Sequence, residues 1–275
     1  MANLKSLAKD TAIYGLSSIV GRFLNYLLVP LYTAKLSAAS GGYGVITNVY
    51  AYTALLMVIL TYGMETTFFR FANKEEENPQ TVYTTTLISV GFTSLMFIAL
   101  VLLFINPISA FMGYADHKSY IWVMAITVAI DAFQCIPFAY LRYKKRPIKF
   151  AALKLLNIFM AIVLNIVFFL VLPSIYESSG GTGFISAIYD PTVGAGYAFY
   201  VNLFCSAFLT FFFWRELVAQ KYSFSKALLR RMFSYSWPIL VLGIAGILNQ
   251  TADKILFPYI YKGGDAHSQL GIYGA

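Results

Sequence analysis

Long apolar runs without a charged side chain are the feature that most constrains how this chain can fold. Residues 82–105 and 194–214 contain no Asp, Glu, Lys or Arg. A helix rises about 1.5 Å per residue, so a run of about 20 apolar residues crosses the hydrocarbon core of a bilayer. Charged residues make up only 12% of the chain, whereas soluble domains contain about 25%. The sequence therefore predicts a protein embedded in a membrane.

The apolar runs predict helices rather than barrel strands. Backbone groups in lipid must be hydrogen-bonded internally, which leaves helices and closed barrels. Barrel strands alternate between polar and apolar residues, and the run LMFIALVLLFI does not alternate. The fold class is therefore predicted to be all-α and polytopic, with about seven membrane helices at 11–36, 43–66, 82–105, 120–141, 150–172, 194–214 and 236–257.

The helix count predicts three segments. Residues 1–10 are expected to form a cytoplasmic amphipathic segment, and residues 11–232 a lobe of six membrane helices. Residues 233–275 then hold helix 7 and the first turn of an eighth helix, at GIYGA. Such an opening of a second lobe predicts that the chain is truncated.

The distribution of basic residues predicts the orientation. Fifteen of the 20 lysines and arginines lie at the N-terminus and within 70–74, 142–154 and 215–231, whereas three lie in the opposite loops. Basic residues accumulate in cytoplasmic loops, so the N-terminus is predicted to be cytoplasmic. The same rule explains the net charge of +8 without a nucleic-acid partner.

Enzymatic motifs are not found in the sequence. The segment GGTG lacks the Gly-Lys-Ser/Thr ending of a phosphate-binding loop. His117 and His267 are separated along the chain without metal-ligand spacing. Cys135 and Cys205 lie in apolar runs and are read as buried thiols. We expect no catalytic activity, cofactor or metal site.

Polar side chains inside the predicted helices are candidates for a transport cavity, because charges in a membrane are costly. Arg22 and Asn25 lie one turn apart in the first helix, as a cationic surface for an anionic substrate or as a helix-packing pair. Asp131 is a candidate cation- or proton-coupling carboxylate, or a buried acid bonded to a neighbouring helix.

Two further groups of polar residues lie near helix ends. Asn249, Asp253 and Lys254 in helix 7 are candidates for the cavity, or else form a charged group at the outer interface. Glu65 and Arg70 flank the cytoplasmic end of helix 2 and are read as an interfacial pair or gate.

Several segments resemble a known family in order and spacing. They are VPLYTAKLSAASGGYGVITN, GMETTFFRF, the basic loop and helix that begin LRYKKRPIKFAALKLLNIF, with Asn157 and Asn165, and YSWPIL. Together they resemble bacterial polysaccharide biosynthesis proteins. These are the O-antigen-type flippases of the multidrug/oligosaccharidyl-lipid/polysaccharide exporter superfamily, which is MATE-like.

This resemblance implies two six-helix lobes around a central cavity that is open to one side of the bacterial inner membrane at a time. The implied cargo is an oligosaccharide on undecaprenyl pyrophosphate, used for surface polysaccharide such as lipopolysaccharide. Arg22 and Lys254 are the cations expected to face its pyrophosphate, and Na⁺ or H⁺ is a possible coupling ion.

Two alternatives remain open. A drug or cation antiporter of the same superfamily would depend on Asp131 more than on Arg22. A membrane oligosaccharide polymerase or ligase would need a large outward loop rich in Arg and His, whereas the loop PSIYESSGGTGFISAIYDP contains neither.

Overall fold

A computed structural model describes residues 12–16, 19–20, 24, 26–36, 42–218, 220–261, 263 and 265–274. In this part of the chain the regular secondary structure is helical, without a strand, as predicted. The predicted segment 1–10 lies outside the described residues, and so do residues 11, 17–18, 21–23 and 25 of the first predicted helix.

The described chain contains thirteen α-helices with defined bounds. They are α1 (Leu28–Lys35), α2 (Gly42–Thr61), α3 (Met64–Ala72), α4 (Pro79–Leu103), α5 (Ile105–Phe111), α6 (Lys118–Tyr143), α7 (Pro147–Ile166), α8 (Leu172–Ser178), α9 (Ile185–Ile188), α10 (Gly196–Phe211), α11 (Trp214–Leu217), α12 (Lys226–Ile260) and α13 (Ala266–Gly274). A π-helical turn, Val167–Val171, joins α7 to α8.

Five helical stretches of the described chain are long and apolar enough to cross a membrane. They are Gly42–Ala72, Pro79–Leu103, Ala115–Tyr143, Pro147–Ser178 and Lys226–Ile260. The helix α10 is equally apolar but shorter, at 16 residues. The chain is therefore a multi-pass membrane protein.

Local sequence signals explain where several helices begin and break. The side chain of Asn78 accepts a hydrogen bond from the backbone of Gln80 ahead of α4, as a helix N-cap does. The predicted helix 43–66 is divided into α2 and α3 because Tyr62 and Gly63 adopt positive φ, at 34° and 70°. Glycine tolerates this left-handed conformation without a Cβ clash.

Several helices begin earlier than the hydrophobic pattern predicts, α7 and α12 among them. The helix α7 begins at Pro147 rather than at residue 150, because proline suits the first position of a helix. The helix α12 begins at Lys226, ten residues before the predicted start, and the side chain of Ser225 caps it. Lys226, Arg230 and Arg231 hid this start, because they interrupt the apolar residues of the first turns, among which Leu228 and Met232 are buried.

Successive long helices cross the bundle in alternating directions, from one end of the bundle to the other. We call the end that carries Arg70, Arg142 and Arg231 the basic end, and the opposite one the far end. The helix α6 packs against α2, α4, α7 and α10 at the centre of the bundle. At the basic end, Tyr83 and Tyr140 stack with ring centroids 4.0 Å apart. This packing leaves room for cavities along α6.

Candidate functional site

A charged cavity of about 340 Å³ lies between α2, α3, α6, α7 and α10 towards the basic end, and we call it the charged chamber. Four acidic or basic side chains face it among apolar helices. Its lining is Met57, Glu65, Asp131, Gln134, Cys135, Phe138, Arg142, Phe150, Lys154, Asn157 and Leu209. Ionisable groups at membrane depth are costly and usually functional. This concentration of charge makes the chamber the candidate site.

A second cavity of about 330 Å³ adjoins the first one nearer the far end, and we call it the polar chamber. Both chambers share Met57, Asp131 and Asn157 as lining residues. Its remaining lining is Tyr50, Thr53, Ala54, Met124, Thr127, Val128, Asn202, Cys205 and Ser206. The two chambers thus form one polar path through the middle of the helical bundle.

Asp131 is held in this path by contacts between α6 and α10. Its carboxylate accepts a hydrogen bond from Ser206 Oγ at 2.6 Å. Gln134, one turn along the same helix face, donates from Nε2 to the carbonyl oxygen of Ser206 at 2.6 Å and to Thr210 Oγ1 at 2.8 Å. These bonds fix the position of α10 and leave a second carboxylate oxygen of Asp131 for a ligand.

Two cations of the charged chamber differ in their partners. Arg142 forms an ion pair with Glu65, and its guanidinium lies 5.0 Å from the ring centre of Phe69. The ammonium of Lys154 lies 4.2 Å from the ring centre of Phe138, and no carboxylate of the described chain lies within 4 Å of it. Lys154 is therefore an available cation.

Two buried polar atoms that face the chambers have no hydrogen-bond partner within the described chain. They are Asn157 Oδ1 and Arg142 Nε. Burying such an atom unsatisfied costs about 1–3 kcal/mol, so a bound ligand or water would be stabilised there. Beside them, Asn202 donates to the hydroxyl of Tyr50 at 2.5 Å. The path therefore combines a cation, a carboxylate and neutral polar groups.

The predicted site residues in the first helix, Arg22 and Asn25, lie outside the described residues. Asp131 faces both chambers, as described above. Glu65 and Arg70 do not pair with each other. Glu65 pairs with Arg142, and Arg70 lies 4.1 Å over the ring of Tyr235 in α12. The two charges point to different neighbours because residues five apart on one helix lie on different faces.

The predicted residues of α12 are not brought to the chambers. Asn249 and Asp253 are exposed, and the carboxylate of Asp253 accepts a hydrogen bond from the hydroxyl of Tyr273 at 2.8 Å. The backbone carbonyl of Lys254 accepts from Asn48 Nδ2 at 3.0 Å. Among the described residues, those of α12 line neither chamber.

Sequence reasoning missed Lys154 and Arg142 as chamber residues, because it counted both among the cytoplasmic charges of the loop at 142–149 and the start of the helix that follows it. The early start of α7 places Lys154 two turns inside the helix, one turn before Asn157 on the same face. Pro147 was the signal that could have revealed this start.

A close contact between α2 and α13 closes the far end of the bundle beside α12, and we call it the glycine seam. A Cβ added at Gly44 would overlap the carbonyl oxygen of His267 and lie 2.8 Å from the backbone nitrogen of Gly271. A Cβ added at Gly274 would lie 2.8 Å from Thr47. Small residues allow membrane helices to approach at this distance.

The far end also brings the two histidines together. His117 and His267 line a cavity of about 440 Å³ with Asp265, although they are 150 positions apart in the chain. His267 lies in α13 rather than in a loop. Among the described residues, no group of three or more His, Cys, Asp or Glu is placed to hold a metal ion.

Comparisons with known proteins give a family and a fold. The sequence profile of the family described as "Polysaccharide biosynthesis protein" matches residues 7–275. The structure is similar to that of the MATE multidrug transporter DinF-BH, with a TM-score of 0.66 and 14% sequence identity. The match covers 96% of this chain and 59% of the transporter. A comparison with curated protein sequences finds no match.

Proposed function

We propose, from the premise that the chain belongs to the polysaccharide biosynthesis protein family, that it moves an oligosaccharide linked to undecaprenyl pyrophosphate across the bacterial inner membrane. The observation that carries this proposal is the ammonium of Lys154, which lines the charged chamber over the ring of Phe138 without a carboxylate of the described chain within 4 Å. A pyrophosphate must leave water to cross the membrane, and it needs a cation there to replace its hydration.

The charges of the chamber suit such a headgroup. Lysine binds phosphate as a point charge, and arginine binds it through two parallel hydrogen bonds. Arg142 and Glu65 form an ion pair and both line the charged chamber. Arg142 can therefore release Glu65 and bind the phosphate of the headgroup instead. Arg22 remains a proposed contact to the pyrophosphate, with Asn25 beside it.

The polar chamber suits the sugar part of the cargo. Sugar hydroxyls both donate and accept hydrogen bonds, and the amides of Asn157 and Asn202 and the hydroxyl of Ser206 offer both kinds of group. The free acceptor on Asn157 would take a hydroxyl hydrogen. A hydrogen bond from the sugar to each of these polar side chains would offset the free-energy cost of burying that side chain in the membrane.

Transport by this lobe is proposed to alternate between two openings. The helix α12 contacts α3 at the basic end through Arg70 and Tyr235. At the far end, the glycine seam and the bond between Asn48 and the carbonyl of Lys254 hold α12 and α13 against α2. Opening one end while the other stays closed would expose the chambers to one side, with the basic end in the cytoplasm.

The energy for this cycle is proposed to come from a Na⁺ or H⁺ gradient. Asp131 is the proposed coupling residue, because its carboxylate faces both chambers and has one hydrogen-bond donor from Ser206. A cation or proton on Asp131 would change the charge beside Lys154, and so the affinity for an anionic headgroup.

A test uses a bacterial strain that lacks its own flippase. The full gene product that contains these residues is expected to restore surface polysaccharide, whereas its Lys154→Met variant is expected to lose at least tenfold. The control is Lys118→Met, because Lys118 donates to Asn106 at the far end, away from both chambers. Equal export by both variants at equal protein abundance would contradict the role of Lys154.

A drug or cation antiporter is the second candidate function, and the position of Asp131 favours it. A cationic substrate would be attracted by a carboxylate that faces both chambers. In that case Asp131→Asn should abolish resistance to cationic dyes, and Lys154→Met should leave it intact. The flippase proposal expects no dye resistance from either the unmodified protein or the variants.

A further inference from the structure

A third cavity, of about 430 Å³, lies between α2, α4, α5 and α6 in the far-end half of the lobe, and we call it the apolar groove. Its walls include Val49, Leu56, Phe97, Val101 and Ile108. The surface of the groove is almost entirely apolar. A cavity with such walls binds hydrocarbon, because polar ligands would lose their hydrogen bonds there.

The apolar groove adjoins the polar chamber. Thr53 and Met124 line both cavities. Together with the charged chamber, the groove completes a path that is charged at the basic end, polar in the middle and apolar at the far end. A ligand that fills this path must be an amphiphile with an anionic headgroup and a hydrocarbon tail.

The junction between groove and chamber lies deep in the membrane. Thr53 is eleven residues from the start of α2 at Gly42, which is about 16 Å at 1.5 Å per residue. The hydrocarbon core is about 30 Å thick, so a junction at this distance from a helix start placed at the edge of the core lies near its middle. Phospholipids of the bilayer keep their headgroups at the surface and could not use both sites at once.

One residue of α12 closes the rim of the groove. The hydroxyl of Tyr259 lies 3.0 Å from the hydroxyl of Tyr52 and donates to the backbone carbonyl of Phe111 at 3.1 Å. Tyr52 and Phe111 are both groove residues. A movement of α12 would therefore change access to the groove together with the glycine seam.

We propose that the apolar groove binds the polyprenyl tail of the cargo while its pyrophosphate and sugar occupy the two chambers. This inference rests on the proposed function and adds a separate binding site for the tail within the first lobe. The headgroup then enters the membrane still attached to a tail that is held by protein.

The test is photo-cross-linking of the 275-residue chain in lipid nanodiscs. The probe is undecaprenyl phosphate with a diazirine in its tail, and the comparison probe is phosphatidylglycerol with a diazirine in an acyl chain. The polyprenyl probe is expected to label peptides of α2, α4 and α5 that line the groove. Unlabelled undecaprenyl phosphate should compete for this labelling, and phosphatidylglycerol in equal excess should not.

Matched variants test whether the polyprenyl probe binds in the apolar groove. Leu56→Trp fills the groove and is expected to reduce labelling by the polyprenyl probe at least fivefold. Leu103→Trp makes the same change on the lipid-facing side of α4, where the side chain is 73% exposed, and should leave labelling unchanged. Phe97→Ala enlarges the groove and should retain labelling. It provides a second groove variant that can be measured if Leu56→Trp does not fold.

Other outcomes would overturn the inference. Equal labelling of the groove by the phosphatidylglycerol probe would assign the groove to bilayer lipid. Polyprenyl labelling that is confined to other helices, or that Leu56→Trp leaves unchanged in a folded protein, would remove the tail site but leave the proposed function standing. Absence of polyprenyl labelling anywhere in the chain would contradict the proposed function as well.

Discussion

Substitution of Gly44 by alanine is expected to weaken the glycine seam. The added Cβ would overlap the carbonyl oxygen of His267 and lie 2.8 Å from the nitrogen of Gly271. Both atoms belong to backbone, so relief requires a helix to move. Overpacking of this kind costs about 1–3 kcal/mol, and the higher helix propensity of alanine returns up to about 1 kcal/mol. Because the clash is with backbone, the cost lies in the upper half of that range, and the net loss is about 1–2 kcal/mol, or a fall in Tm of about 2–8 °C for a domain of this size.

The assay is thermal unfolding of the purified protein in detergent, followed by tryptophan fluorescence. The matched control is Gly246→Ala, because Gly246 lies inside α12 with no heavy atom within 4 Å of its added Cβ. The control should unfold at the wild-type temperature or slightly above it. An unchanged Tm for Gly44→Ala, or an equal fall for both variants, would refute the close approach of α2 and α13.

Three further predictions concern the ion pair, the buried amide and the topology. Either Glu65→Arg or Arg142→Glu should reduce transport, and the double exchange should recover part of it, because the pair keeps opposite charges; two additive losses would contradict the pairing. Gln134→Leu should lower the free energy of unfolding by about 1 kcal/mol, measured by denaturant titration, because two hydrogen bonds to α10 are lost. A cysteine at position 179 should react with an impermeant maleimide added outside cells, and one at position 145 should not; the reverse would invert the orientation.

The sequence could predict the helical membrane fold because that information is local. Each apolar run is long enough to identify a span without knowledge of its neighbours. The positions where helices begin and end were harder to predict from the sequence. The break at Gly63 depends on two backbone angles, and the first turns of α12 mix basic with apolar residues. The hydrophobic pattern therefore marks neither position.

The candidate site could be predicted only in part. Asp131 was found because a lone carboxylate in an apolar run is conspicuous. Lys154 was missed because it follows a cluster of loop charges, and only the start of α7 and the packing of α10 decide which way it faces. The contact between Gly44 and Gly271 joins positions 227 residues apart, which a single sequence cannot indicate.

The central claim is that Lys154 serves an anionic, lipid-linked cargo. The most direct measurement is translocation by the full gene product in proteoliposomes, using a fluorescent oligosaccharide on undecaprenyl pyrophosphate and an impermeant enzyme that cleaves sugar on the outer face. We predict protein-dependent delivery to that face, a loss of at least tenfold in Lys154→Met, and wild-type rates in Lys118→Met. Delivery at wild-type rates by Lys154→Met, or no delivery by any form of the protein, would contradict the claim.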